Sequence, residues 1–173
     1  EAIQAIFAVI LWGELAAWKI SADLALQIEP LEAKMAATSQ AHDEARHFYV
    51  MHDYLSHIGP VPDKLVPGAE RVLAGTLTAD SLAKKLMGMQ LMIEPMALTL
   101  FQVVRESRLE PVLCDLLTYY ERDEARHVAL GVLHLPKLLN RLSLAEAADL
   151  WSWQFREFWC QFGMLKDLEH HLA

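Results

Sequence analysis

The chain contains one pentapeptide twice, first as Asp43-Glu44-Ala45-Arg46-His47 and again as Asp123-Glu124-Ala125-Arg126-His127. Each copy follows a single glutamate in an apolar segment, Glu14 for the first copy and Glu94 for the second. The same number of residues, 28, separates each glutamate from its copy. The sequence therefore carries an internal duplication, and the duplicated unit consists of residue types that bind metals.

The spacing inside each pentapeptide places a carboxylate beside an imidazole. In a helix, a residue three positions further along returns to nearly the same face, so Glu44 lies next to His47, and Glu124 lies next to His127. The two preceding glutamates lie in apolar surroundings, where burying a lone carboxylate is costly. These carboxylates therefore need a compensating partner.

Two turn signals determine how the four segments meet. Glu29-Pro30 and Glu110-Pro111 mark boundaries between helices, because proline suits a first helical turn and disfavours the helical conformation in the residue before it. The first two glutamates each stand 15 residues from position 29, and the last two each stand 15 residues from position 109. At 1.5 Å per residue, antiparallel helices bring each pair to the same height, roughly 22 Å from the turn. Two packed hairpins would then place four carboxylates and two imidazoles in one layer.

Such a layer predicts a pair of metal ions. Four carboxylates carry four negative charges, which two divalent cations neutralise, and neutral imidazoles complete the ligand set. Carboxylate-rich sites with one histidine per metal suit iron or manganese, whereas zinc sites more often use cysteine or several histidines. We therefore predict two iron ions, with manganese or a mixed iron–manganese pair as the alternative.

The order Glu, DExRH, Glu, DExRH resembles the ferritin-like di-iron carboxylate proteins. Within them it is most similar to the O₂-activating branch, such as arylamine N-oxygenases and the hydroxylase subunits of bacterial multicomponent monooxygenases. The resemblance implies six metal ligands: Glu14, Glu44, His47, Glu94, Glu124 and His127. It also implies that Asp43 hydrogen-bonds His127, that Asp123 hydrogen-bonds His47, and that Arg46 and Arg126 hold these aspartates.

The same resemblance implies a function. The chain is expected to be an O₂-activating oxidoreductase, an oxygenase or oxidase, that acts on a small organic substrate and takes electrons from a reductase or ferredoxin. Two alternatives stay open: a ferritin-like or rubrerythrin-like protein that oxidises Fe²⁺, handles iron or removes peroxide, and a di-manganese catalase.

Three residues near the predicted metals are candidate pocket residues. Trp18 lies one turn after Glu14 and either lines a pocket or belongs to the core. Tyr120 occupies the position of an extra histidine in the N-oxygenases and is either a pocket residue or a core tyrosine with a satisfied hydroxyl. Leu98 occupies the position of a threonine in the hydroxylase subunits. Pro95, directly after a predicted ligand, is expected to kink or open its helix.

The pattern predicts an all-α fold in a single domain spanning 1–173. The resemblance implies a ferritin-like four-helix bundle of two helical hairpins joined by a long crossover, followed by a fifth helix. The predicted helices span about 2–28, 31–58, 80–107, 111–134 and 143–170, and the crossover spans 59–79 with a short helical piece near 69–73. Pro136 is expected to end or bend the fourth helix.

The fifth helix begins at a capping box, Ser143 to Glu146. It is rich in aromatic residues and is predicted to pack on the bundle through one stripe, with Trp153 on the far side and Trp159 flanking. The stripe consists of Trp151, Phe155, Phe158 and Phe162. The remaining apolar surface predicts a homodimer contact or an interface with further chain segments.

Composition and charge exclude other classes. The formal net charge is −8 and no basic patch suggests nucleic-acid binding. The longest apolar run, residues 5–13, is shorter than the ~20 residues of a membrane span, so no membrane protein is predicted. Cys114 and Cys160 have neither metal-site nor disulfide-framework spacing, which favours a reducing cytoplasm.

Overall fold

A computed structural model describes residues 2–172, with the side chains of 5–167 and of Glu169. This part of the chain is all helical and contains no strand. We number its helices α1 (Ala2–Gln27), α2 (Leu31–Ile58), α3 (Pro67–Leu77), α4 (Leu82–Glu106), α5 (Pro111–Leu139) and α6 (Leu144–Leu172). The prediction of an all-α fold is confirmed.

Four of these helices form two hairpins. A three-residue turn ending at Pro30 joins α1 to α2, and a four-residue turn ending at Glu110 joins α4 to α5. The carboxylate of Glu110 accepts hydrogen bonds from the backbone N–H groups of Val112 and Leu113, at 3.0 and 2.8 Å, and so caps α5. The hairpins pack together through α2 with α5 and α1 with α4. This arrangement brings the mid-points of all four helices to one level.

Two helix boundaries differ from the prediction. α3 covers eleven residues, longer than the helical piece expected near 69–73. α5 continues past Pro136 to Leu139, so the prediction that it ends near His134 is wrong. Proline removes only the one hydrogen bond that its own N–H would donate, and a proline this close to the end leaves little helix to disrupt. The backbone N–H of Asn140 still donates to the carbonyl of Pro136 at 3.1 Å.

The packing face of α6 is opposite to the predicted one. Trp153 is buried, at 4% exposure, whereas the predicted stripe of Trp151, Phe155, Phe158 and Phe162 is 47–71% exposed, and Trp159 is also exposed. The cause lies in glycines on the neighbouring helices. A Cβ atom on Gly88 would approach the Trp153 ring to 2.7 Å, and one on Gly68 would approach the Met164 backbone to 2.4 Å. These glycines open a groove that admits this face of α6.

The capping box of α6 is present as predicted. The backbone N–H of Ser143 donates to the Glu146 carboxylate at 2.8 Å, and the backbone N–H of Glu146 donates to the Ser143 hydroxyl at 3.3 Å. The homodimer stays a prediction, with the exposed aromatic residues of α6 as the surface available for it.

Two helices are long and apolar enough to cross a membrane, over Ala5–Gln27 and Leu82–Glu106. Helices in the core of a globular protein have the same length and composition, and half of the first segment's most apolar window is buried inside this fold. Each helix also carries a buried glutamate, Glu14 in α1 and Glu94 in α4, that faces the interior. Length and hydropathy alone therefore do not indicate that these helices span a membrane.

Candidate metal centre

The two hairpins bring the six predicted ligands into one buried layer. Their side chains form two groups, and within each group one ligand atom per residue lies within 4.8 Å of the others. Glu44 and Glu124 belong to both groups. The first group is completed by Glu14 and His47, and the second by Glu94 and His127. All six residues are at most 5% exposed, so each group offers three carboxylates and one imidazole away from solvent.

Both imidazoles turn the same nitrogen toward the carboxylates. Nδ1 of His47 lies 3.3 Å from oxygens of Glu14 and Glu124. Nδ1 of His127 lies 2.7 Å from Glu124 and 3.0 Å from Glu44. In each ring Nε2 points away from the carboxylate layer. The two Nδ1 atoms are therefore the ring nitrogens available to a metal within the layer.

The outward nitrogens contact the motif aspartates of the opposite hairpin. Nε2 of His47 lies 3.0 Å from Asp123, and Nε2 of His127 lies 3.4 Å from Asp43. This is the crossed pairing that the resemblance implied. An aspartate that accepts from Nε2–H leaves Nδ1 unprotonated in the neutral ring, which is the form that binds a metal.

Two arginines hold these aspartates together. Arg46 donates to Asp43 at 3.1 Å and to Asp123 at 2.6 Å. Arg126 donates to Asp123 at 2.5 Å and to Asp43 at 3.3 Å. Burial opposes the ionisation of both aspartates, but hydrogen bonds from the histidines and arginines outweigh it and lower the pKa of each aspartate. The two motif copies are thus tied into one clamp across the hairpins.

The four glutamates differ in their affinity for protons. Burial raises the pKa of Glu14 well above its usual range, and burial together with the charges of Glu124 and Glu44 does the same for Glu94. Burial also opposes ionisation of the two shared glutamates. Hydrogen bonds with both histidines and with Glu14 outweigh burial and lower the pKa of Glu44. Hydrogen bonds with Glu94 and both histidines do the same for Glu124.

The histidines respond to the same carboxylates. Burial disfavours the charged ring, but hydrogen bonds to the surrounding carboxylates outweigh burial and raise the pKa of His47 and of His127. With both rings charged and two of the four carboxyls protonated, the layer is neutral. Four protons then occupy the place of the four positive charges that two divalent cations would bring.

One carboxylate oxygen in the layer has no hydrogen bond and is suited to binding a metal ion. Among the residues that the structure describes, Oε2 of the buried Glu44 has no hydrogen-bond partner. A buried carboxylate oxygen that nothing compensates is costly, whereas the same oxygen is a suitable ligand for a hard cation. The donor set and this oxygen together mean that each of the two groups could hold a metal ion.

Two glutamines that the sequence analysis did not assign to the site complete the polar layer. Gln40 donates from one amide nitrogen to Glu44 at 3.2 Å and to Glu94 at 2.5 Å, and Gln90 donates to Gln40 at 2.7 Å. Gln40 and Gln90 are both essentially fully buried. The sequence spacing could have identified them, since each glutamine precedes a predicted ligand glutamate by four residues on an otherwise apolar helix face.

The helix opens directly before Glu94. Residues Met89–Ile93 form a π-helical turn, in which the backbone N–H of Glu94 donates to the carbonyl of Met89. Pro95 has no N–H to offer the carbonyl of Leu91, so the regular α-helical ladder is broken here. This agrees with the expected opening at Pro95 and places Gln90 and Glu94 on the same interior face.

The three candidate pocket residues have different surroundings. Tyr120 is buried, its ring stacks on His47 with centroids 3.9 Å apart, and its hydroxyl donates to the His47 carbonyl at 2.5 Å. It is therefore a core tyrosine that supports a ligand. Trp18 is 40% exposed, so it belongs neither to the core nor to the cavity at the glutamates. Leu98 does not line that cavity, although its neighbours Ala97 and Thr99 do.

A cavity of about 390 Å³ connects the surface with the layer. All four glutamates lie at its inner end, and the rest of its wall is almost entirely apolar. A larger groove of about 540 Å³ between α1 and the crossover contains none of the six ligand candidates. Of these two, the smaller cavity is the one that reaches the carboxylates.

The clamp yields a first prediction. Asp123→Asn keeps the size of the side chain but removes the charge that His47 and both arginines contact. Losing such a partner costs about 10- to 100-fold in metal affinity or activity, so Mn²⁺ should bind Asp123→Asn about 10- to 100-fold more weakly by calorimetry. Asp115→Asn, an exposed aspartate on the same helix, is the matched control. Equal Mn²⁺ affinity for Asp123→Asn and wild type would rule out this role.

Comparisons of the chain with protein-family models, curated proteins and solved structures find no match. The six candidate ligands form a buried pair of carboxylate–histidine groups, which Asp–Arg pairs hold from outside and which an apolar cavity reaches.

Proposed function

We propose that the chain binds two transition-metal ions, preferably iron, between the hairpins of a ferritin-like bundle and uses them with O₂ to oxidise an organic substrate. One observation carries this proposal: two buried groups of three carboxylates and one imidazole share Glu44 and Glu124. Ions held by these two groups would be close enough to act together on one molecule.

The composition of the donor set supports iron or manganese. Three carboxylates and one imidazole per ion make a hard, oxygen-rich site, which suits these metals better than zinc or copper. Four carboxylates neutralise two divalent ions, so loading replaces protons without leaving a net charge in the core. Iron in such a site supplies redox chemistry with O₂ that protein side chains do not have.

The protein's own residues provide orientation and exclude water. In the Asp–Arg clamp, an aspartate contacts Nε2 of each histidine, so that Nδ1 of the ring faces the carboxylate layer. Tyr120 packs flat against His47 and restricts its ring. Apolar side chains surround the glutamates and exclude water, which strengthens electrostatic interactions inside the site.

The cavity favours oxidation of an organic substrate over iron storage. A pathway for hydrated Fe²⁺ needs polar groups along its length, because removing water from a divalent ion is costly. The cavity that reaches the glutamates offers apolar side chains over most of its length. A reductase or ferredoxin would supply electrons to an oxidase or oxygenase of this kind.

The test begins with metal content. After anaerobic loading with Fe²⁺ and removal of the excess, we expect two iron ions per folded chain by elemental analysis. Loading should release at least two protons per chain, one from each histidine, in weakly buffered solution. A content of one ion or fewer per chain in fully loaded protein would contradict the dinuclear site.

The reaction with O₂ separates the alternatives. An oxidase or oxygenase should consume O₂ once per load of iron and then need a reductant to continue. A storage protein would keep oxidising added Fe²⁺ and accumulate far more than two ions per chain. A catalase would release O₂ from hydrogen peroxide. Continued iron uptake or peroxide dismutation would replace the proposed activity with one of these.

A further inference from the structure

The side chains that line the cavity at the glutamates indicate which kind of molecule can bind there. We propose that it binds an uncharged, predominantly apolar organic molecule, and that Gly13 sets the size of this molecule. The description of this molecule as a substrate rests on the proposed function. Its binding does not, because the cavity is formed by side chains whatever the metal chemistry is.

The cavity lies between four helices. α1 and α4 form the inner wall beside the glutamates, and α3 and α6 cover it from outside. Its lining residues are buried or half-buried except Thr99 and Val103 of α4 and Leu165 of α6, which are exposed. The mouth therefore lies between α4 and α6. From Val103 to Glu94 is nine residues along a helix, so the cavity is about 13 Å deep.

The lining lacks a partner for a charged molecule. No lysine, arginine or histidine contributes to the described wall, so in the metal-free protein an acid would find no counter-charge. The four carboxylates at the inner end are committed to the histidines and, in the proposed function, to metal. Thr99 already donates its hydroxyl to the carbonyl of Pro95 at 2.9 Å. Burying a charged group in such a site without a partner would be costly.

The volume limits the size of the ligand. About 390 Å³ falls in the range of small-molecule sites, and at about 30 Å³ per atom, the share of one water molecule in the liquid, it holds about a dozen non-hydrogen atoms. A fused two-ring aromatic molecule has about this size. Apolar walls would bind it by removing its surface from water.

Gly13 leaves part of this volume open. It lies one residue before Glu14 and lines the cavity, and a Cβ atom at this position would meet no other atom within 4 Å. Glycine is less favourable than alanine inside a helix, so larger residues here gain helix propensity while they fill the cavity. Gly13 is therefore proposed as a specificity-determining residue that acts by leaving space beside the glutamates.

The test uses two probes of matched shape, 1-naphthol, which is neutral at pH 7, and 1-naphthoate, which is charged. Calorimetry on Mn²⁺-loaded and on metal-free protein should show one site for 1-naphthol. On metal-free protein, where no cation can bind the carboxylate, 1-naphthoate should bind at least tenfold more weakly. The series Gly13→Ala, Gly13→Leu and Gly13→Phe should weaken 1-naphthol binding in order of size, with a loss of at least tenfold for Gly13→Phe.

Gly59 provides the matched control. A Cβ atom there also meets nothing within 4 Å, and it lies in the exposed connection after α2. Gly59→Phe should bind 1-naphthol as wild type does. Binding to the exposed aromatic residues of α6 would not change along the Gly13 series, so a loss of affinity in that series excludes it. Melting temperatures and Mn²⁺ content of each variant show whether it is folded, and Gly13→Ala keeps the test valid if Gly13→Phe is not.

The following results would overturn the inference. Unchanged 1-naphthol affinity along a folded Gly13 series, or no binding to wild type, overturns the cavity as the site. Equal affinity of the metal-free protein for 1-naphthoate overturns the uncharged class. The proposed function fails on a different measurement, a metal content below two ions per chain, so the two failures are distinguishable.

Discussion

Glu124→Ala is expected to leave fewer than one metal ion per chain, whereas Glu14→Ala is expected to keep about one. Glu124 belongs to both four-residue groups, and Glu14 belongs only to the group that contains His47. Removing a shared carboxylate takes a ligand from both ions at once. Removing a carboxylate of one group leaves the other group with its three carboxylates and its imidazole.

The two variants are matched controls for each other. Both replace a buried glutamate of the same layer by alanine, so they remove the same atoms and leave cavities of similar size. Elemental analysis of Mn²⁺-loaded protein gives the ion count, and circular dichroism verifies that each variant is still helical. If Glu124→Ala retains as many ions as Glu14→Ala, the shared glutamate does not serve two ions.

Thermal stability provides a second measurement. At a free metal concentration about 100 times its dissociation constant, binding stabilises a protein by about 2.7 kcal/mol per site. For a chain of this length, one kcal/mol corresponds to about 2–4 °C in melting temperature, so one site raises it by about 5–10 °C. Metal loading should raise the melting temperature of wild type by more than this one-site increase. It should raise that of Glu14→Ala by about the one-site increase, and that of Glu124→Ala hardly at all.

The placement of the six candidate ligands in one buried layer could be predicted because its determinants are local and periodic. The i, i+3 spacing of Glu44 and His47 places them on one face of a helix, and equal distances from the turns place the pairs at one height. Both features depend only on helix geometry and on where prolines begin helices. Six buried residues in one layer are therefore readable from the sequence once the duplication is noticed.

The packing of α6 could not be predicted in the same way, because both of its faces are apolar. Which face is buried depends on the shape of the partner helices, and the glycines of α3 and α4 leave a groove that fits Trp153. The sequence shows these glycines but not that they face α6. The cavity was missed for the same reason, since the open space beside Gly13 arises from how four helices pack around it.

A second large effect is expected from Glu94→Gln, which should raise the melting temperature of the metal-free protein while removing one metal ion. Burial and the charges of Glu124 and Glu44 raise the pKa of Glu94 well above 4.5. The native protein then holds a proton that the unfolded chain releases. The stability of metal-free wild type therefore falls as the pH rises from about 4.5 toward the raised pKa.

Glutamine preserves the contacts of the protonated carboxyl. Its carbonyl oxygen can still accept from Gln40, and its N–H can donate to Glu124 in place of the carboxyl proton. Because an amide does not titrate, Glu94→Gln escapes the loss of stability with rising pH. Near pH 4.5 the two proteins should melt together, and at pH 8 the variant should be more stable by about 1 kcal/mol or more. That corresponds to about 2–4 °C.

The difference between variant and wild type reports Glu94 together with its effect on the neighbouring Glu44 and Glu124, since the more distant titrating residues are the same in both proteins. Glu106→Gln, at an exposed position of the same helix, should show no such pH-dependent gain. In the presence of Mn²⁺ the order should reverse, because a neutral amide is a poor substitute for a carboxylate ligand and the group containing His127 would lose its ion. Parallel pH profiles for metal-free wild type and Glu94→Gln would mean that Glu94 holds no extra proton. A carboxylate that destabilises the empty protein and stabilises the loaded one is what selection for metal binding, rather than for folding alone, would retain.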